Sequence, residues 1–213
     1  MQIATVHAPF GKEIDFSSDP QAVEAGISIT RASLEQAAAL GAPQVVVHSS
    51  YEPIAPSERA ARLARARQSL EELALDCART GVRLAVELLP RTCLGHTTAE
   101  LLALLDGLPP QQFGLCIDTN HLMDRAAALP DEVRRAGRRL TALHLSDYDG
   151  VDEKHWLPGE DVVAWRPFFA ALAEVGYEGP YTYEARLPGD TLDGRLDALQ
   201  RNFAWLSAQA AAV

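Results

Sequence analysis

Two textures of apolar residues alternate along the chain. The first is a set of short, nearly continuous apolar runs: "QIATVH" (2–7), "QVVVH" (44–48), "VRLAVEL" (82–88), "FGLCID" (113–118), "LTALHL" (140–145) and "PYTYEA" (180–185). Their length and β-branched content predict buried strands. The second is a set of longer segments with apolar residues three and four apart, at 20–40, 56–80, 97–108, 121–139, 164–176 and 191–209. These predict helices. Gly41 and Gly81 stand where helices stop, Ser57 and a threonine before 98 stand where they start, and Pro130 opens a new helical segment.

Strand and helix alternate with no hairpin signal between strands, so the strands are expected to run parallel with helical crossovers. Helices then cover the sheet, which explains runs of apolar residues in place of strict alternation. No repeat, low-complexity tract or linker interrupts residues 1–213, and one domain is expected.

Composition narrows the function without naming it. Acids outnumber bases 29 to 19, a formal charge of −10, which argues against a chain built for nucleic-acid or membrane-surface binding. The best basic stretch, "RAARLARAR" (59–67), has helical spacing and reads as a solvated helix face. No run is long enough to cross a bilayer, and the first ten residues lack the pattern of a secretion signal. Three isolated cysteines, Cys77, Cys93 and Cys116, predict no disulfide framework and a reduced, cytoplasmic setting.

The strand ends change the picture. Each of the six runs finishes on, or one residue short of, a side chain able to bind a metal: His7, His48, Glu87, Asp118, His144 and Glu184. Asp, Glu, His and Cys make up 38 of 213 residues, so six hits in six are not expected by chance. The C-terminal ends of parallel strands share one rim, where ligands bind. Each residue has an ordinary alternative when taken alone. His48 could simply be hydrogen-bonded, Glu87 could pair with Arg91, and Asp118 could cap the helix starting near His121. Together they point to a shared metal site, which His121 joins from just beyond the fourth strand. His96, before a helix, is expected to be a surface residue.

The segment 144–165, "HLSDYDGVDEKHWLPGEDVVAW", is the longest without regular patterning. It reads either as a solvated acidic loop or as a functional loop folded back over the rim, with His155 and Trp156 inside it. Lys154 would neutralise a carboxylate or face a substrate phosphate.

These residues resemble a known family, the xylose-isomerase-like barrels, which include sugar isomerases and epimerases and also endonuclease IV. "VVVHSS", "LAVELLPRTCLG", "GLCIDTNH", "ALHLSDYDG", "KHWLPGE" and "YTYEAR" occur in the family's order. The resemblance implies an α/β TIM (β/α)8-type barrel, here apparently lacking the first β/α unit. An eight-stranded barrel takes about 250 residues, so either the true start lies upstream or a partner chain covers an open edge. Leu88 stands where relatives often carry asparagine, and "PGED" replaces Pro-Gly-Glu-Gly. An arginine that some ketose epimerases carry after the histidine of the fifth strand has no counterpart.

What the resemblance implies for chemistry is a divalent ion on Glu87, Asp118, His144 and Glu184, with His7, His48, His121, Asp152 or Glu153, and His155 as further ligands if the endonuclease pattern applies. One ion held mainly by carboxylates suits Mn, Mg or Co, and a multinuclear, histidine-rich site suits Zn. The expected activity is sugar or sugar-phosphate isomerisation or epimerisation by proton transfer through a metal-stabilised enediolate. Glu87, Glu184 and His121 would be catalytic, and His7, His48, Lys154, Trp156 and Arg186 would contact substrate. The alternatives are a zinc phosphodiesterase acting on abasic DNA, and a metal-binding relative without catalysis. A small carbohydrate is the expected partner, and alanine-rich helix faces leave room for a homodimer.

Overall fold

The computed structural model describes residues 2–213. Six strands form one sheet in the order β1-β2-β3-β4-β5-β6, all neighbours parallel. They are β1 (Val6–His7), β2 (Gln44–Val47), β3 (Arg83–Glu87), β4 (Phe113–Asp118), β5 (Leu140–Leu145) and β6 (Tyr181–Tyr183). The crossovers carry α1 (Pro20–Leu40), α2 (Arg59–Thr80), α3 (Thr98–Leu104), α4 (Leu129–Ala136) and α5 (Trp165–Val175), and α6 (Leu192–Ala210) follows β6. Among the described residues no helix is long and apolar enough to cross a membrane.

Local signals account for most boundaries. The Asp19 side chain accepts from the Gln21 and Ala22 amides to start α1, and Thr97 and Thr191 cap α3 and α6 in the same way. Gly41 and Gly81, both at φ 70°, end α1 and α2 in the left-handed conformation that glycine adopts without a Cβ penalty. Ser57 does not cap α2. The helix begins at Arg59 behind Glu58, whose backbone is already helical and whose side chain makes no cap bond. A turn closed by the Glu58 and Arg59 amides on Ala55 and Pro56 leads the chain in. The expected helix over 121–139 is broken into a 3₁₀ segment (Met123–Ala128), α4 and a second 3₁₀ turn (Gly137–Arg139).

The alternation of side chains along each strand sorts the residues into two layers. Val45, Val47, Leu84, Val86, Leu115, Ile117, Leu143 and Leu145 join the main core with Leu34, Leu70, Leu101, Val133 and Phe168 from the helices. Val46, Ala85, Cys116 and Ala142, one from each of four neighbouring strands, form a separate buried cluster. These are small side chains, and the sheet curls around them. The curl is tight enough for β1 to meet β5: the His7 and His144 rings stack with centroids 5.5 Å apart. Towards the other end, Gln44 Nε2 on β2 donates to the Thr141 carbonyl on β5 (3.0 Å). β1 and β6 pair with β2 and β5 alone, so the curled sheet has six of the eight strands of a closed barrel.

A register shift in the β4–β5 ladder sets Leu115 opposite Leu140 and Cys116 opposite Ala142, leaving Thr141 as an extra residue. Its side chain turns onto Gly114, where a Cβ would lie 2.3 Å from Thr141 Oγ1. The bulge restores the pairing of Asp118 with His144 at the rim.

Candidate metal centre

Two residues beyond Val46, Ala85, Cys116 and Ala142, on the same face of each strand, stand His48, Glu87, Asp118 and His144. The two-residue period of a strand therefore carries one small buried layer directly into one titratable layer. His7 from β1 and Glu184 after β6 complete it.

Glu87 is at the centre and is 1% exposed. Its Oε2 lies 3.2 Å from His7 Nε2 and 3.2 Å from His48 Nε2. Its Oε1 lies 3.1 Å from His144 Nδ1 and 3.6 Å from His121 Nδ1. Asp118 is fully buried; its Oδ1 accepts from the Asn120 amide (2.7 Å) in a turn, and it caps no helix, because the next helical segment starts at Met123 behind Leu122. The other, Oδ2, has no hydrogen-bond partner and points between His121 and His144, at 3.7 and 4.0 Å. Glu184 Oε2 likewise has none, although it lies 2.7 Å from His144 Nδ1, because the angle is wrong for a hydrogen bond.

Ligand atoms of Glu87, Asp118, His144 and Glu184 lie within 4.8 Å of one another. Two orphaned buried carboxylate oxygens among them are costly unless a cation completes the set, so these residues fit a divalent ion. Two further groups meet the same distance limit: His7, His48 and Glu87, and His121, Glu153 and His155. Three histidines are oriented for ligation by their outer nitrogen. His7, His121 and His155 place Nδ1 against the carbonyls of Ala8 (2.7 Å), Leu88 (2.9 Å) and Glu184 (3.0 Å). Donation there leaves the Nε2 lone pair free at His121 and His155, whereas His7 Nε2 is bonded to Glu87 Oε2 (3.2 Å).

The electrostatics show how crowded the rim is. Burial pushes the Glu87 carboxyl up, but the imidazoles of His144 and His48 override it and hold it well below the usual carboxylate range. Asp118 goes the other way: burial first, then the negative charges of Glu184 and Glu87, raise it well above that range. Burial lowers His48, whereas at His7 the bond to Glu87 outweighs burial and raises it. At His144 burial is likewise outweighed, by Cys116 and Glu87, and the group is raised. A carboxyl raised at Asp118 beside one depressed at Glu87 marks a surplus of negative charge, which a bound cation would relieve.

A cleft of about 180 Å³ opens above this layer, lined among others by Phe10, His48, Arg91, His121, Glu153, His155 and Glu184. The Phe10 ring lies on His48, with centroids 4.1 Å apart. Glu184 faces the cleft; Glu87 lies beneath it.

Other expected contacts fall elsewhere. Asp152 is turned outward, its side chain 61% exposed and paired with Arg91, so the acid grouped with His121 and His155 is Glu153. Lys154 Nζ sits 3.3 Å from Asp149 and 3.9 Å from Asp152 and does not line the cleft. Trp156 is fixed by a two-way backbone exchange with Asp147 (2.9 Å each way), which carries its ring away from the cleft lining. Arg186 is exposed; its amide donates to the His155 carbonyl (2.7 Å), and it borders a shallow groove beside Glu184. His96 is half-buried, its Nδ1 2.9 Å from the Leu89 carbonyl, and joins no ligand group. Arg91 pairs with Glu52, Asp152 and Glu153 and leaves Glu87 to the histidines.

The sequence reading missed Asp147. It is fully buried and accepts from the Tyr148 (2.9 Å), Gly159 (2.9 Å) and Val163 (3.1 Å) amides and from Trp165 Nε1 (3.1 Å). One carboxylate thus shapes the whole β5–α5 loop. Its only signal was a place in "HLSDYDG", among five other acids of the segment 144–165.

A curled parallel sheet with a layer of carboxylates and imidazoles able to hold a metal at its C-terminal rim defines a class of α/β barrel. Residues 1–209 match the family described as xylose isomerase-like TIM barrel, and the chain belongs to that family. It is 30% identical over 176 residues to the L-ribulose 3-epimerase of Methylomonas sp. (strain DH-1), covering 79% of this chain and 59% of that protein. It is also 30% identical over 150 residues to a probable endonuclease 4 of Bacillus subtilis (strain 168), covering 68% of this chain and 44% of that one. A crystal structure of a D-psicose 3-epimerase in the presence of D-fructose shares the fold, with TM-score 0.84 at 21% identity over 98% of this chain and 78% of that one. The chain spans 53 to 63% of the length of the first curated relatives it matches.

Proposed function

We propose that the chain acts as a divalent-metal-dependent sugar or sugar-phosphate isomerase or epimerase. The observation that carries this reading is the convergence of Glu87, Asp118, His144 and Glu184 on one point beneath a cleft, with two carboxylate oxygens unpartnered. Several relatives named as ketose, L-ribulose and D-psicose 3-epimerases support it. Those four residues would hold the ion, Mn, Mg or Co by the hardness of a three-carboxylate, one-imidazole set. When bound, it supplies Lewis-acid stabilisation of negative charge on a substrate oxygen.

The protein's own part is proton transfer. Epimerisation or isomerisation beside a carbonyl needs a base to remove a proton from carbon and an acid to return one. Glu184 is placed for this, since it faces the cleft. Glu87 was expected to act on the opposite face, but both its oxygens are engaged by imidazoles and it lies below the cleft. We therefore assign Glu87 to holding the ion and its neighbouring histidines, and His121, whose ring reaches the cleft, to orienting a substrate hydroxyl. Phe10 offers an apolar wall against the sugar's C–H face.

The two additional groups favour a second reading, a zinc phosphodiesterase like endonuclease IV, because His7, His48, His121, Glu153 and His155 are more imidazole than one ion needs. The −10 charge opposes nucleic-acid binding. Metal analysis together with two substrate assays separates the readings. Activity on a panel of ketoses, read as exchange of a carbon-bound proton with deuterated water, supports the first. About three zinc ions per chain with cleavage of an abasic-site oligonucleotide supports the second. Tight metal binding with neither activity would leave a metal-binding relative without catalysis.

A further inference from the structure

Among the described residues only three non-glycine residues have a left-handed backbone: Arg91 (φ 48°), Met123 (φ 53°) and His155 (φ 51°). Such conformations cost on the order of 1 kcal/mol or more each and persist only where surrounding contacts enforce them. They come from three different loops, after β3, β4 and β5, and the Arg91 guanidinium reaches the other two loops, at Met123 itself and at Asp152 and Glu153 just before His155. Arg91 Nε donates to Glu52 Oε1 (2.8 Å) in the β2–α2 loop, and Nη1 lies 3.4 Å from Met123 Sδ. Nη1 also reaches Asp152 Oδ1 (3.3 Å), and Nη2 donates to Glu153 Oε1 (2.5 Å), both in the β5–α5 loop. One side chain therefore ties together the loops after four successive strands.

The two oxygens of Glu153 are divided between neighbours. Oε1 belongs to Arg91, while Oε2 faces His121 Nε2 at 3.9 Å. His155, two residues on, completes a group whose ligand atoms lie within 4.8 Å of one another. We propose that Arg91 is a positioning residue for a second cation site, at His121, Glu153 and His155. By gripping Oε1 it fixes the carboxylate plane and presents Oε2 to the ion. By bracing the β5–α5 loop it holds His155 opposite His121. Its side chain also borders the cleft, but it acts on the ion only through Glu153. The planar guanidinium suits this role because it donates in three directions at once, which an ammonium on a flexible stem does not do with fixed geometry. Removing such a partner of a metal-ligating carboxylate typically weakens the ion by about 10- to 100-fold. The inference rests on the three-residue group taking a cation; with Nδ1 on the Leu88 carbonyl, His121 then ligates through Nε2 in place of orienting a substrate hydroxyl.

The test is a Co²⁺ and Zn²⁺ titration of the metal-stripped protein against a competing chelator, with cobalt absorption spectra recorded throughout. Wild type is expected to bind in at least two classes. Arg91→Ala should weaken one class by about 10- to 100-fold and leave the class removed by Asp118→Asn in place. Glu153→Gln should remove the same class and the same cobalt bands, and Arg91→Lys should restore affinity only in part. Equal weakening of every class in Arg91→Ala, or no change in any, overturns the proposal. A wild type that binds a single ion, lost in Asp118→Asn, also overturns it and leaves the four-residue centre standing. A wild type that binds no ion ends both readings.

Discussion

Asp147 offers the sharpest test of how the rim is built. Its two oxygens receive four N–H donors, two on each oxygen; the bonds from Tyr148, Val163 and Trp165 are buried, and the one from the exposed Gly159 is partly so. In Asp147→Asn the side chain keeps its shape and one acceptor oxygen. The other oxygen becomes an amide that donates, so it faces two donors of the protein with a third. Placed one way round, the amide orphans the buried Tyr148 and Val163 N–H groups; placed the other way, it orphans the buried Trp165 Nε1–H and the more accessible Gly159 amide. At least one buried donor is lost, at about 1–3 kcal/mol. The two surviving bonds fall from charged to neutral strength, so a total loss of about 2 kcal/mol is expected. With a urea m value of about 2 kcal/mol/M the midpoint should fall by about 1 M at unchanged slope. The same loop carries Glu153 and His155, so their cation class should weaken while the class that includes Asp118 persists. Urea unfolding followed by circular dichroism and a cobalt titration read the two effects. An Asn variant whose midpoint lies within about 0.3 M of wild type would refute the reasoning, because no side-chain relaxation can supply four donors with acceptors.

Three other outcomes are expected. Glu184→Gln should lower turnover by about 10²-fold or more, whereas His96→Ala, at a half-buried histidine outside every ligand group, should change it little; equal losses in steady-state assays would discredit the assignment. Stripping divalent ions should lower thermal stability, since a ligand at 100 times its Kd contributes about 2.7 kcal/mol, and calorimetry with and without chelator should show a gap that re-addition closes. Glu132 accepts from the Thr98 amide and Arg125, both at 2.8 Å. Burial raises its carboxyl, but these bonds win and hold it below the ordinary 4.5. A group depressed on folding stabilises above its unfolded pKa and loses that contribution as pH falls through its folded one. The stability gap between wild type and Glu132→Gln, from urea melts across pH, should be widest near neutrality and shrink below about 4.5; a gap independent of pH would count against it.

Much of this architecture was legible because strands in a covered parallel sheet are short, apolar and bounded. β4 and β5 fall on the expected residues, since both have two neighbours and bury both faces. The outer strands shrink: "QIATVH" pairs only through Val6–His7 and "PYTYEA" only through Tyr181–Tyr183, as each has a partner on one side alone. The rim residues were legible for a different reason, which is that acids and histidines are conspicuous at the end of an apolar run. Contacts that depend on loop conformation were not. Nothing in "HLSDYDG" separates Asp147, which organises a loop, from Asp149, which caps a turn. Nothing in "DEK" says that Asp152 faces solvent and Glu153 the site. Those differences arise from backbone direction after the strand, including the left-handed turn at His155, and no periodicity encodes it.

The distribution of local costs along the sheet supports the assignment of its two ends. Among the described residues, four of the seven buried side-chain polar atoms without a partner sit at or just beyond the ends of β4, β5 and β6: Asp118 Oδ2, Asn120 Nδ2, Ser146 Oγ and Glu184 Oε2; the others belong to Gln44, Thr98 and Arg125. The three left-handed residues lie at the same end. Below them the small layer of Val46, Ala85, Cys116 and Ala142 is dry and apolar, and the helices pack a continuous core around the outside. The four at this rim are part of the cost of bringing five imidazoles and four carboxylates into one small volume, sustained by apolar burial elsewhere. A cation would repay part of it by giving the orphaned oxygens a partner and the crowded acids a counter-charge. The same ion would thereby couple the stability of the fold to the competence of the site, so conditions that strip the metal should loosen the rim before they loosen the core.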